Sequence, residues 1–85
     1  METRVALVAV MSRYSGWVAA LNELLHQYGS YVVSRMGVPY RQRGVNIISV
    51  AMDAPQAVIS ALSGKLGKLP GVTAKTVYAP EEALA

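Results

Sequence analysis

Three arginines and one tyrosine in the middle of the chain are the residues best suited to binding chemistry. Arg35, Tyr40, Arg41 and Arg43 lie in a stretch that has no aspartate or glutamate from position 24 to position 52. Arginine presents a planar fork of donors that matches carboxylate and phosphate groups. The pattern predicts that these four residues contact an anionic ligand or an acidic partner surface. A solvated loop tip is the alternative interpretation.

Ser15 and Gly16 form a second candidate ligand-binding site, in the polar link between the first strand and the first helix. The N–H groups of a first helical turn attract anions, so this link could bind a carboxylate or a phosphate. Gly16 would let a ligand or a second backbone approach closely. The alternative is a plain capping turn with Ser15 as the N-cap.

Catalytic and metal chemistry have little support. The chain has no cysteine and a single histidine, His26, and no paired carboxylates at helical spacing. A metal site needs three or four ligands, so His26 could serve a metal-binding sensor only at a subunit interface. Its simplest role is at the surface near the end of the first helix. We therefore predict no catalytic residues and a protein that is not an enzyme, and we name no cofactor.

Nucleic acid is not the expected partner. A sheet that binds RNA needs aromatic residues on its central strands, and the predicted first and third strands contain none. The Gly64–Gly67 segment matches a G-x-x-G pattern, but it fits the end of a helix equally well. The net charge of +3 is modest. Small molecules, protein partners or further copies of the chain are expected instead.

The elements that must position these residues follow from hydrophobic periodicity. Alternating or continuous apolar runs predict strands at 3–11, 31–36, 45–52 and 72–78, with residues 37–44 as a loop. One helix follows the first strand, beginning near Trp17 and ending at Gly29 as a C′ glycine. A second helix begins at Asp53 and Pro55, with Asp53 as the cap. Its predicted buried stripe is Ile59, Leu62 and Leu66.

The order βαββαβ predicts an α+β, ferredoxin-like fold, in which a four-stranded antiparallel sheet carries two helices on one face. The predicted central strands are apolar on both faces, although the helices cover only one. Hydrophobic residues make up 53% of the chain and charged residues 15%, against about 25% charged in average domains. We therefore expect a second subunit to cover the other face, in a homodimer or homotetramer.

The length of 85 residues allows one domain, expected at 1–79, followed by a mobile tail at 80–85. No apolar run reaches the roughly 18 residues of a membrane span. Glu2 precedes the apolar N-terminal run, which argues against a signal peptide. A cytoplasmic protein with no membrane partner is expected.

Nearly the whole chain resembles the small stand-alone regulators of the iron-only hydrogenase system. The resemblance rests on residues 28–45, most specifically on the run Arg35-Met36-Gly37-Val38-Pro39-Tyr40, and on residues 47–50, 53–55 and 62–72. It implies an ACT-like fold, similar to the ligand-binding domain of the nickel-responsive repressor, and an oligomer built through sheets. ACT domains bind small molecules near the loop after their first strand, which supports Ser15 and Gly16. The resemblance thus implies a non-enzymatic regulator, acting in the transcriptional control of a hydrogenase system through a ligand or partner.

Overall fold

Strands and helices alternate along the chain in the predicted order. The computed structural model describes residues 2–13 and 18–80. The strands are β1 (Arg4–Ser12), β2 (Val32–Tyr40), β3 (Val45–Ala54) and β4 (Val72–Tyr78), and the helices are α1 (Val18–Gln27) and α2 (Gln56–Gly67). Two short 3-10 turns, Gly29–Tyr31 and Arg41–Arg43, precede and follow β2.

The four strands form one antiparallel sheet in the order β2-β3-β1-β4. The prediction that the first and third strands lie at the centre is confirmed. Val8 pairs with Val50 of β3 on one side and with Thr76 of β4 on the other. The edge strand β2 joins β3 through a tight hairpin in which Tyr40 pairs with Val45. A register shift lies between Val32 and Ser34 of this edge strand.

One face of the sheet forms the core together with both helices. Along β1 and β3 alternate side chains are buried, because successive residues of a strand point to opposite faces. The buried set on these two strands comprises Ala6, Val8, Val10, Ser12, Ile48, Val50, Met52 and Ala54. Leu21 and Leu25 of α1 and Ile59, Leu62 and Leu66 of α2 pack into the same cluster. The predicted α+β fold with both helices on one face is therefore confirmed, as is the buried stripe of α2.

A polar contact joins the two helices at the surface. Lys65 Nζ on α2 donates a hydrogen bond to Tyr28 Oη, at 2.9 Å, and lies 5.2 Å from the centre of the Tyr28 ring. The Gly64–Gly67 segment is thus the last turn of a packed helix. It is not a free loop of the kind that clamps a nucleic acid backbone.

The predicted loop at 37–44 is wrong in its first half, since β2 continues through Tyr40. Pro39 suggested a break because it has no N–H to donate. On an edge strand proline is tolerated, since only one side of the strand is paired. The connection to β3 shortens to Arg41–Arg43 and Gly44, whose φ of 64° and ψ of 33° lie in the left-handed region.

The predicted cap of the second helix and the predicted conformation of Gly29 after the first helix are also wrong. Asp53 is exposed within β3, opposite Val5, and α2 begins after Pro55 with no side-chain capping bond. Pairing with β1 continues to Ala54, so Asp53, which the sequence predicted as the helix cap, belongs to the strand. Gly29 does not adopt the positive φ of a C′ glycine; it begins the 3-10 turn that leads into β2.

Ser15, Gly16, Trp17 and the tail residues 81–85 lie outside the described residues. The predicted N-cap, the predicted binding turn and the predicted mobile tail fall there. Within residues 2–13 and 18–80, no helix is both long and apolar enough to cross a membrane.

Candidate functional site

The hairpin between β2 and β3 brings three of the predicted binding residues together. Tyr40 is the last residue of β2, and Arg41 and Arg43 belong to the 3-10 turn that follows. The Gly44 N–H donates to the Arg41 carbonyl oxygen at 3.2 Å, which closes the turn. Glycine suits this position because the left-handed conformation is strained for residues that carry a Cβ.

Arg13 joins this group from a different part of the chain. It follows β1 directly, and its backbone N–H donates to the Gly71 carbonyl oxygen at 3.1 Å. β1 runs antiparallel to β3, so the end of β1 lies beside the start of β3 and hence beside the hairpin. Arg13 is not among the binding residues predicted from the sequence. The signal was available, because the predicted strand order already placed the end of β1 and the hairpin at one edge of the sheet.

Arg13, Tyr40, Arg41 and Arg43, here termed the basic cluster, line two adjoining grooves. One groove has a volume of about 520 Å³ and is lined by Met11, Arg13, Tyr40, Arg43, Gly44, Val45 and Ile47. The other, of about 390 Å³, is lined by Arg13, Pro39, Tyr40, Arg41, Gly44, Val45 and Asn46. Both volumes are of the size that small-molecule sites have.

Within residues 2–13 and 18–80, no carboxylate balances the positive charge of the basic cluster, since no acidic side chain of this part of the chain lines either groove. Within the described part of the chain, the three guanidinium groups make no side-chain hydrogen bond or ion pair. Like charges held close together raise the local potential and attract anions. This end of the sheet is therefore a candidate anion-binding site.

Arg35, the fourth predicted binding residue, lies elsewhere. It pairs with Val50, whose side chain is buried under the helices, so Arg35 is on the helix side of β2. Its Nη2 donates a hydrogen bond to Asn22 Oδ1 of α1. The structure thus separates Arg35 from Tyr40, Arg41 and Arg43.

His26 lies in the last turn of α1 and is exposed. Together with Glu23 and Arg35 it lines a shallow groove between α1 and β2 of about 550 Å³. Among the described residues, no three histidine, aspartate or glutamate side chains gather as metal ligands would. A metal at His26 would need ligands from outside the described residues, such as those of a second subunit.

The face of the sheet opposite the helices, here termed the open face, is largely apolar. Ile47 pairs with Met11 on one side and Val38 on the other, so these three form a row across the sheet. Exposed large apolar residues on this face include Val5, Leu7, Met11, Met36, Val38, Tyr40, Ile47 and Val77. Small residues, Ala9, Ser49 and Ala51, lie between them. The basic cluster lies at one end of the open face.

A four-stranded antiparallel sheet with two helices on one side defines this chain as a small ferredoxin-like α+β protein. The open face and the basic cluster are prominent surfaces of its described part. The family model described as "TM1266-like: Iron-only hydrogenase system regulator, putative" matches residues 4–76. The chain belongs to this family, and the resemblance noted in its sequence is confirmed.

A solved structure agrees with this assignment. The structure of the uncharacterized protein TM1266 from Thermotoga maritima superposes with a TM-score of 0.89, at 32% sequence identity. The match covers 93% of this chain and 100% of the Thermotoga chain. No curated protein matches the sequence.

Proposed function

We propose that this protein is a non-enzymatic regulatory module, an ACT-like homo-oligomer that acts in the control of an iron-only hydrogenase system by binding a small ligand or a protein partner. The observation that carries the proposal is the apolar open face. The link to an iron-only hydrogenase system comes from the description of the family to which the chain belongs. The central strands lack the aromatic residues on which RNA-binding sheets stack bases, so the proposal includes no RNA contact through the sheet.

The open face supports self-association because of its composition. In an antiparallel sheet that is covered on one side, the other side is normally polar. Here the central strands carry Val5, Leu7 and Met11 on β1 and Ile47 on β3, all exposed in the single chain. Contiguous apolar patches of this kind mark protein–protein interfaces. A second copy of the chain has the matching chemistry.

The shape of the open face suits another sheet. Ala9, Ser49 and Ala51 place small side chains at its centre, between larger residues at the margins. Two sheets pack about 10 Å apart when the side chains between them interdigitate. Asp53 and Lys75 are the charged residues that the described strands place on this face, so few charges would need to be buried. We propose a dimer or tetramer on this basis.

The experiment that tests the proposal is native mass spectrometry of the protein, purified without oxygen from its own host. An oligomer that carries a stoichiometric extra mass would support a ligand-binding regulator. The mass of that group would separate an organic ligand from a metal ion, and a metal that disappears in His26→Ala would favour the sensor alternative. A bare oligomer would favour regulation through protein contacts. A monomer at micromolar concentration would contradict the proposal.

A further inference from the structure

We propose that the basic cluster is a binding site for a small phosphorylated molecule that has an apolar or aromatic body, of about the size of a nucleotide. This inference rests on the proposed function in one respect, since it names the ligand class of the proposed regulator. The site is formed by Arg13, Tyr40, Arg41 and Arg43 at one end of the open face.

Charge is the first argument for this ligand. Three arginines from two separate segments line the same pair of grooves, and none of the described carboxylates lines them. The acidic residues of the described chain lie elsewhere: Glu2 before β1, Glu23 on α1 and Asp53 near the far end of β3. The summed positive potential of the three arginines would attract an anion to these grooves. A ligand with two or more negative charges matches this excess better than a single carboxylate does.

The donor geometry also favours phosphate. Each arginine offers a planar fork that binds phosphate oxygens in pairs. The Tyr40 hydroxyl is a further donor at the same site. Arginines that approach from two sides can contact different oxygens of one phosphate, or neighbouring phosphates of one ligand.

The backbone that carries these side chains is fixed by pairing. Tyr40 pairs with Val45, Arg41 is held by the hydrogen bond from Gly44, and Arg13 is held by the bond from its N–H to Gly71. Donors that are positioned before the ligand arrives reduce the entropy lost on binding. The backbone is thus fixed at these positions, whereas the side chains themselves are exposed and accessible to a ligand.

The lining of the larger groove indicates that the ligand would carry an apolar group beside its phosphate. Beside Arg13 and Arg43 it is lined by Met11, Val45 and Ile47, and the Tyr40 ring lies at the same place. Met11, Tyr40 and Ile47 also belong to the margin of the open face, so in the proposed oligomer the ligand would lie beside the second subunit. A purely inorganic anion would leave the apolar groups that line this groove without a contact from the ligand. A planar base or another apolar body would bury them and stack against the ring. The volume of about 520 Å³ accommodates such a ligand.

Isothermal titration calorimetry of the full chain with ADP and with inorganic pyrophosphate tests this inference. We expect one ADP per chain, with pyrophosphate bound about tenfold more weakly, because it lacks the apolar body. Arg13→Ala, Arg41→Ala and Arg43→Ala should each weaken ADP binding by about tenfold or more, as expected for a charge-assisted contact. Arg35→Ala is the matched control and should leave the ADP affinity within about twofold.

Several outcomes would overturn the proposal. A Kd above about 1 mM for both probes would reject the anion site. Equal losses in Arg35→Ala and Arg41→Ala would show nonspecific attraction to positive charge. Equal affinity for pyrophosphate and ADP would reject the apolar part of the ligand. Tighter binding of duplex DNA, with the steep salt dependence of phosphate contacts, would make the cluster a nucleic acid interface instead.

Sedimentation of the same samples separates this inference from the proposed function. ADP binding by a monomer would support the site and contradict the oligomer. An oligomer that binds neither probe would support the assembly and reject the site. Circular dichroism of each variant shows whether a loss of affinity reflects a loss of fold, and Arg41→Lys, which keeps the charge but not the fork, should retain part of the affinity.

Discussion

Arg35 on β2 donates a guanidinium hydrogen bond to the side-chain oxygen of Asn22 on α1. The contact links an edge strand to the helix that packs beside it. It also directs Arg35 into the groove on the helix side, away from Tyr40, Arg41 and Arg43. Arg35 therefore lies on a different surface from the other three residues, although all four appear equivalent in the sequence.

Removal of this hydrogen bond should have a small effect on stability. We expect Arg35→Ala and Asn22→Ala each to lower the free energy of unfolding by about 0.5–1 kcal/mol, because both side chains are exposed and water replaces the lost contact. Urea denaturation measures the change. A double-mutant cycle should show that the two losses are not additive, and additive losses would mean that the contact does not form in solution.

Addition of one charge to the open face should disrupt self-association. Ala51 lies at its centre, between Leu7 and Ser34, whereas Ala61 is exposed on α2. Ala51→Glu should raise the Kd of the oligomer by about tenfold or more, because the charge would be buried without a partner. Ala61→Glu adds the same charge and should leave assembly unchanged. Analytical ultracentrifugation distinguishes them, and equal behaviour would contradict an interface on this face.

The same substitution should have unequal effects on the two faces of the sheet. Ile59 on α2 is fully buried in the core between the helices and the sheet, and Ile47 is 36% exposed on the open face. Ile59→Ala should lower the free energy of unfolding by about 2–5 kcal/mol, a large part of the total for so small a domain. Ile47→Ala should cost less than about 1 kcal/mol in the monomer.

Urea denaturation at a concentration where the protein is monomeric checks this pair of isoleucines. If Ile59→Ala does not fold, Ile59→Val, with an expected loss of about 0.5–1.5 kcal/mol, supplies the measurement. Similar losses at positions 47 and 59 would show that the open face is already covered within the monomer.

Two glycines should respond in opposite directions to alanine. Gly44 has a φ of +64°, so Gly44→Ala should destabilise the hairpin by about 1–2 kcal/mol, although a Cβ there would meet no atom within 4 Å. Gly64 lies inside α2 with the same free space, and Gly64→Ala should stabilise the protein by about 1 kcal/mol. Thermal unfolding of both variants gives the signs, and a neutral Gly44→Ala would contradict the left-handed turn.

Binding of ADP to the basic cluster should depend on ionic strength. Raising the salt concentration from about 0.01 M to about 0.15 M shortens the Debye length from about 30 Å to about 8 Å. The affinity should fall, since exposed arginines attract the phosphates through solvent, and it should fall less in Arg13→Ala. Calorimetry at the two salt concentrations measures this difference. A salt-independent affinity would place the binding energy in apolar contacts instead.

The strands and the buried stripe of α2 could be predicted because they depend on local periodicity. Val8, Val10, Val50 and the leucines of α2 recur at the spacing of the element in which they lie. The end of β2 and the start of α2 could not be predicted in this way, because they depend on pairing with neighbouring strands. Pairing with β3 extended β2 through Pro39 to Tyr40, and pairing with β1 extended β3 through Asp53 to Ala54.

The candidate site could likewise be predicted from the sequence only in part. Local composition and periodicity were enough to predict the element order, the two apolar faces of the central strands and the excess of positive charge around Arg41 and Arg43. Strand pairing across the sheet placed Arg13 beside these residues and Arg35 on the helix side of β2, away from them. Residue type and spacing act along the chain, whereas a binding surface depends on which strand ends meet and which face each side chain takes. Those choices are made by long-range pairing across the sheet.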